Sequence, residues 1–114
     1  MSQAHDIIIL GAGPAGLSSA IYAGRAMLET LVLEKGAPGG QILMTDFIEN
    51  YPGFPEGIVP VELTGYFRKQ AERFGAKIDI DTIKEIQREG VLWKVCGSKN
   101  EYQTRAVIIA TGTN

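Results

Sequence analysis

The chain has 114 residues, 45% of them hydrophobic and 21% charged, with a formal net charge of −2. That profile fits one soluble globular domain with a modest core, and without a basic block it argues against nucleic acid as a partner. A four-residue apolar run near the start, with no basic leader, argues against a signal peptide or membrane span, and one cysteine, Cys96, allows no internal disulfide, so a cytoplasmic setting is expected.

In chain order, the run Ile7-Ile8-Ile9-Leu10 predicts a first strand over Asp6 to Leu10. A helix follows from Pro14 to about Met27, its proline at a first turn that needs no N–H there. A second strand covers Thr30 to Glu34. The stretch Lys35 to Val59 reads as a long packed loop, rich in glycine and proline yet carrying Ile42, Leu43, Phe47, Ile48, Tyr51 and Phe54. A second helix begins at Pro60 and stops near Gly75, burying Leu63, Phe67, Ala71 and Phe74 and turning Arg68, Lys69, Glu72 and Arg73 outward. A third strand, Lys77 to Ile80, precedes three short alternating strands, Ile83 to Arg88, Val91 to Cys96 and Tyr102 to Arg105, which read as an antiparallel meander. A separate buried strand, Ala106 to Ala110, runs into Thr111-Gly112. No repeat or low-complexity tract interrupts this order.

Chemistry concentrates at Gly11-Ala12-Gly13-Pro14-Ala15-Gly16, which sits between the first strand and the first helix. Gly11 permits the tight turn, Gly13 lets a pyrophosphate approach the backbone, and Gly16 lets helix and sheet pack closely. The helix N-terminus offers N–H groups and partial positive charge to phosphates. Glu34 stands 18 residues beyond Gly16, at the end of the second strand, where a carboxylate accepts ribose hydroxyls. The same charge repels a 2′-phosphate, so the unit suits FAD or NAD better than NADP. The final apolar strand delivers Ala110-Thr111-Gly112 to the carboxyl edge of the sheet, where ligands of open α/β sheets bind.

A meander inserted between parallel strands and followed by Ala-Thr-Gly resembles the FAD domain of two-dinucleotide-domain flavoprotein disulfide reductases. Pro38-Gly39-Gly40-Gln41, the stretch Ile48-Glu49-Asn50-Tyr51-Pro52-Gly53-Phe54-Pro55-Glu56-Gly57-Ile58, and Gln70-Ala71-Glu72-Arg73-Phe74-Gly75-Ala76 are similar to the low-molecular-weight thioredoxin reductase family, and the likeness runs from Ile7 to Gly112. It implies an α/β fold: a three-layer ββα FAD/NAD(P)-binding, Rossmann-like domain with a β-meander, incomplete at its C-terminal end.

The resemblance also implies roles for particular residues. Gly11, Gly13, Pro14, Ala15 and Gly16 face the pyrophosphate of FAD, and Glu34 and Lys35 the adenosine ribose. Gly40 and Gln41 approach the ribityl and flavin region, Asn50 bonds toward the isoalloxazine, Ile83 meets the adenine through its backbone, and Ala110, Thr111 and Gly112 line the floor. Relatives often place threonines after Gly-Gly-Gln; here the run is Ile42-Leu43-Met44-Thr45, leaving Thr45 as its polar contact. Plainer alternatives stand beside these roles: Gln41 and Asn50 capping loop backbone, Lys35 a solvated charge. His5, ahead of the first strand, reads as a surface residue, and Cys96 as a structural or half-exposed thiol.

In the resembled family NADPH reduces FAD, and FAD reduces a Cys-x-x-Cys disulfide that serves thioredoxin. Disulfide exchange needs an attacking and a resolving thiol. This sequence holds neither a Cys-x-x-Cys nor a second glycine fingerprint for NADPH. The expectation is a partial FAD-binding module over residues 1–114 of a longer homodimeric flavoprotein, with no catalytic residues of its own and no metal. Three further readings stay open: a thioredoxin-reductase-like ferredoxin–NADP reductase, the flavin subunit of alkyl hydroperoxide reductase, whose usual preceding domain the start at Met1 argues against, and a nonenzymatic nucleotide-binding module.

Overall fold

In the computed structural model, which describes residues 4–35, 52–53 and 55–111, eight elements follow one another. They are β1 (His5–Leu10), α1 (Pro14–Arg25), β2 (Thr30–Glu34), α2 (Pro60–Arg73), β3 (Lys77–Ile80), β4 (Ile83–Glu89), β5 (Leu92–Gly97) and β6 (Glu101–Ile109). The strands form one six-stranded sheet of order β3-β2-β1-β6-β5-β4. β3, β2, β1 and β6 run parallel, while β4, β5 and β6 form the antiparallel meander.

Strand side chains alternate between faces, so each apolar run feeds two cores. Ile7, Ile9 and Val32 meet Leu17, Ala20 and Ala23 of α1 and Ala71 of α2 on one face. Ile8, Leu10, Leu31 and Leu33 form the other core with Val95 of β5, joined by Ile83, Ile86, Tyr102 and Val107. Helices, parallel strands and meander are thus the three layers expected. Ile8, Ile9, Leu17, Leu33 and Leu63 are each fully buried, and each such side chain contributes about 1.5–3 kcal/mol relative to exposure.

Three readings need correction. The strands expected at Tyr102–Arg105 and Ala106–Ala110 are one continuous β6, ending at Ile109. Its first half pairs antiparallel with β5 and its second half parallel with β1, with Thr104 opposite both Trp93 and His5. Thr104 is fully buried, and its hydroxyl donates to the Ala106 carbonyl at 3.0 Å, so the chain changes partners there without a break. His5 is not ahead of β1 but opens it, half-buried, its Nδ1 shut from solvent and without a hydrogen-bond partner among the described residues. Helix α1 ends at Arg25, short of Met27.

The two helices end in the same way on different residues. After α1 the N–H of Leu28 donates to Ala23 and that of Met27 to Gly24; after α2 Ala76 donates to Ala71 and Gly75 to Glu72. This paired closure needs a left-handed residue at the turn. Gly75 supplies it at φ 97°, whereas Met27 holds φ 63° despite its side chain. Among the described residues no helix is long and apolar enough to cross a membrane.

Candidate functional site

The carboxyl ends of β1, β2 and β6 converge on the glycine turn. The Gly11 N–H donates to the Leu33 carbonyl and the Ala110 N–H to the Leu10 carbonyl, both at 2.8 Å. Gly11 holds φ 113°, and a β-carbon there would run into the Ala110 carbonyl oxygen. A β-carbon on Gly16 would run into the Gly11 carbonyl oxygen. Both glycines are therefore required by close backbone approach, and together they leave a backbone-lined edge free of side chains.

Helix α1 opens from this edge. Its N-cap is Gly13, in extended conformation, with no side-chain cap and no acid in the first turn. The N–H groups of the first turn lack intrahelical acceptors by geometry, so this end keeps its partial positive charge for an anion. Pro14 and Gly13 are half-buried and Ala15 is exposed.

Glu34 closes the same edge from β2. Its Oε2 accepts the Ala12 N–H at 2.9 Å and its Oε1 accepts the Lys35 N–H at 2.8 Å. Among the described residues each oxygen thus has one donor and keeps further acceptor capacity. The carboxylate fixes the glycine turn and still offers lone pairs, which suits a vicinal diol. Lys35 is exposed beside it. Ala110 and Thr111 stand at the end of β6, next to Gly11. Ile83 begins β4, half-buried against the meander-side core. Gly40, Gln41, Thr45, Asn50 and Gly112 lie outside the described residues, as does most of the long loop that carries the family-like pieces.

One neighbour of Glu34 was not anticipated. Asp81, directly after β3, is buried, and its N–H donates to the Glu34 carbonyl at 2.9 Å. Its carboxylate accepts the N–H groups of Lys99 at 3.0 Å and Asn100 at 3.2 Å and the Tyr102 hydroxyl at 2.7 Å. The Tyr102 hydroxyl, helped by these backbone donors, outweighs burial and holds the Asp81 carboxyl below the usual aspartate range. Burial, reinforced by the neighbouring Asp81, pushes the Tyr102 phenol up to about 12. The available signal was an aspartate at the point where β3 stops at the carboxyl edge. Cys96 is half-buried and free, and among the described residues no cluster of three potential ligands is placed to hold a metal ion.

The residues present fit the adenosine diphosphate half of a dinucleotide. They provide a turn whose Gly11 and Gly16 admit no β-carbon, an uncapped helix N-terminus and a carboxylate with spare acceptors. Comparison with known proteins agrees with this geometry. A family model described as pyridine nucleotide-disulphide oxidoreductase matches residues 5–114. The thioredoxin reductase of Bacillus subtilis (strain 168) is 50% identical over 110 residues, 95% of this chain and 34% of that protein. A bifunctional thioredoxin reductase/thioredoxin of Mycobacterium leprae (strain TN) is 42% identical over 111 residues, 96% of this chain and 24% of that protein. Among solved structures, Lactococcus lactis thioredoxin reductase superposes with a TM-score of 0.91 at 39% identity, covering 96% of this chain and 36% of that one. The chain thus spans about a third, or less, of the length of these relatives.

Proposed function

Because the chain belongs to the pyridine nucleotide-disulphide oxidoreductase family, we propose that it is the FAD-holding N-terminal part of a thioredoxin reductase. In this reading the parent passes electrons from NADPH through FAD to a Cys-x-x-Cys disulfide and on to thioredoxin. The observation that carries it is the meeting of the glycine turn, the uncapped α1 N-terminus and Glu34 at one sheet edge. FAD, when bound, supplies a two-electron carrier between a hydride donor and a dithiol.

This chain's own residues bind and orient. First-turn N–H groups after Gly13 hold the pyrophosphate, and Glu34 accepts from the adenosine ribose with Lys35 beside it. The backbone at Ile83 borders the adenine, and Ala110, Thr111 and Gly112 form the floor. Gly40, Gln41, Thr45 and Asn50 are assigned the flavin end. The bifunctional relative supports thioredoxin as the redox partner. A homodimer and a cytoplasmic location complete the proposal, with the NADPH domain and the dithiol in the remainder of the parent.

Two measurements test it. Adding NADPH anaerobically to the flavin-loaded parent is expected to bleach the flavin, and thioredoxin is expected to restore its colour; a flavin indifferent to NADPH contradicts the assignment. Titrating FAD into the 114-residue chain should give weak binding at most, since part of the pocket wall belongs to the remainder. Tight stoichiometric binding would refute that division of the site.

A further inference from the structure

Asp81 has no role in the reading above, yet among the described residues it is the one buried charge, and its backbone is bonded to Glu34. Two hydrogen-bonded paths leave it. Through its N–H it is tied to the Glu34 carbonyl, and Glu34 is tied by its carboxylate to the Ala12 N–H of the glycine turn. Through its carboxylate it gathers Lys99 and Asn100 from the β5–β6 turn and Tyr102 from the start of β6. The Ser98 N–H adds a bond to the Thr82 carbonyl at 2.9 Å. A β-carbon on Gly97 would overlap the Asp81 carboxylate, so the turn lies directly against it. Buried carboxylates are retained where their acceptors are satisfied, and this one spends three acceptor sites on the β5–β6 turn and the start of β6.

We propose that Asp81 is a positioning residue for the adenosine end of the site, latching the β5–β6 turn and the Asp81–Ile83 connector against the Glu34 edge. The proposal rests on the nucleotide reading above and adds to it a residue that touches no ligand. The bonds that hold the glycine turn, to the Leu33 carbonyl, the Leu10 carbonyl and the Glu34 carboxylate, do not involve the Asp81 carboxylate. Loosening the latch therefore frees the adenosine wall and leaves the phosphate cradle in place. A merely structural aspartate would weaken both ends alike.

The test follows amide resonances of the isotopically labelled chain while ADP, or inorganic pyrophosphate, is titrated into it, into Asp81→Asn and into Tyr102→Phe. Asp81→Asn should weaken ADP binding about tenfold and Tyr102→Phe about threefold, with pyrophosphate changing less than about twofold in both. If Asp81→Asn does not fold, Tyr102→Phe, which removes one donor and keeps the carboxylate, decides by the same ratio. Equal losses for ADP and pyrophosphate, or an unchanged ADP affinity, overturn the proposal. No response to ADP in the unmodified chain overturns this inference, while the response of the parent's flavin to NADPH decides the nucleotide reading separately.

Discussion

Glu34 and Asp81 are neighbours at the carboxyl edge of one sheet, and the regions around them are built in opposite ways. Around Glu34 the carboxylate is half-exposed, each oxygen has one backbone donor among the described residues, and the adjoining helix begins on an uncapped glycine. Around Asp81 the carboxylate is buried and spent on three donors from its own fold. The contrast teaches how to tell a carboxylate that faces a ligand from one that shapes the site. The first keeps acceptors in hand, and the second has used them.

Four perturbations break or sharpen that contrast. Gly16→Val strikes the ground of the ligand-facing region, because its side chain meets the Gly11 carbonyl. A denaturant midpoint should show a loss of about 3 kcal/mol from overpacking, with ADP binding abolished. Glu34→Ala should lower ADP affinity on the order of tenfold or more, as expected for losing hydrogen bonds to a charged group. Its unfolding free energy should fall by no more than about 1.5 kcal/mol, the low end for a bond to a charged group, because the Ala12 and Lys35 N–H groups lie at a half-exposed edge where water replaces the carboxylate. A larger fall in stability than in affinity would place Glu34 with Asp81 and erase the distinction.

The third perturbation is pH. Asp81 lies below its ordinary 3.8, so its contribution is complete above that value and is lost as pH falls through the lower folded value. Tyr102 is raised from 10.0 to about 12, so its contribution is complete below pH 10 and disappears as pH rises through about 12. Stability measured against pH should lose its alkaline fall in Tyr102→Phe relative to the parent, and its acid fall should flatten in Asp81→Asn. Parallel curves for parent and variants would contradict the latch. The smallest effect lies away from the edge. Met27→Gly should stabilise by about 1 kcal/mol in a thermal melt, by relieving a left-handed non-glycine residue, and should leave ADP affinity unchanged.

Period and punctuation made much of the fold legible. The bounds of β2 and β3 follow directly from Thr30–Glu34 and Lys77–Ile80, and Gly75 marks the end of α2 as a left-handed glycine should. Met27 hid the end of α1, since a methionine in that conformation leaves no compositional mark. Arg105 and the change of pattern at Ala106 made β6 look like two strands. The division arises because one strand serves an antiparallel neighbour over its first half and a parallel one over its second. At the site, the glycine turn and Glu34 were readable because their residue types are dictated by backbone approach and charge. Asp81 was not, because its donors come from residues 18 to 21 positions later, and only the folded meander brings them to it.

The most direct test of the central claim uses the charge of Glu34. AMP and adenosine 2′,5′-bisphosphate, which differ only in the 2′-phosphate, are titrated separately into the chain while the amide resonances of Gly11 to Leu17 are followed. The account predicts that AMP shifts these resonances and that the bisphosphate binds at least about tenfold more weakly, because a carboxylate meets its 2′-phosphate. Equal affinity for the two, or shifts confined to other parts of the chain, would contradict it.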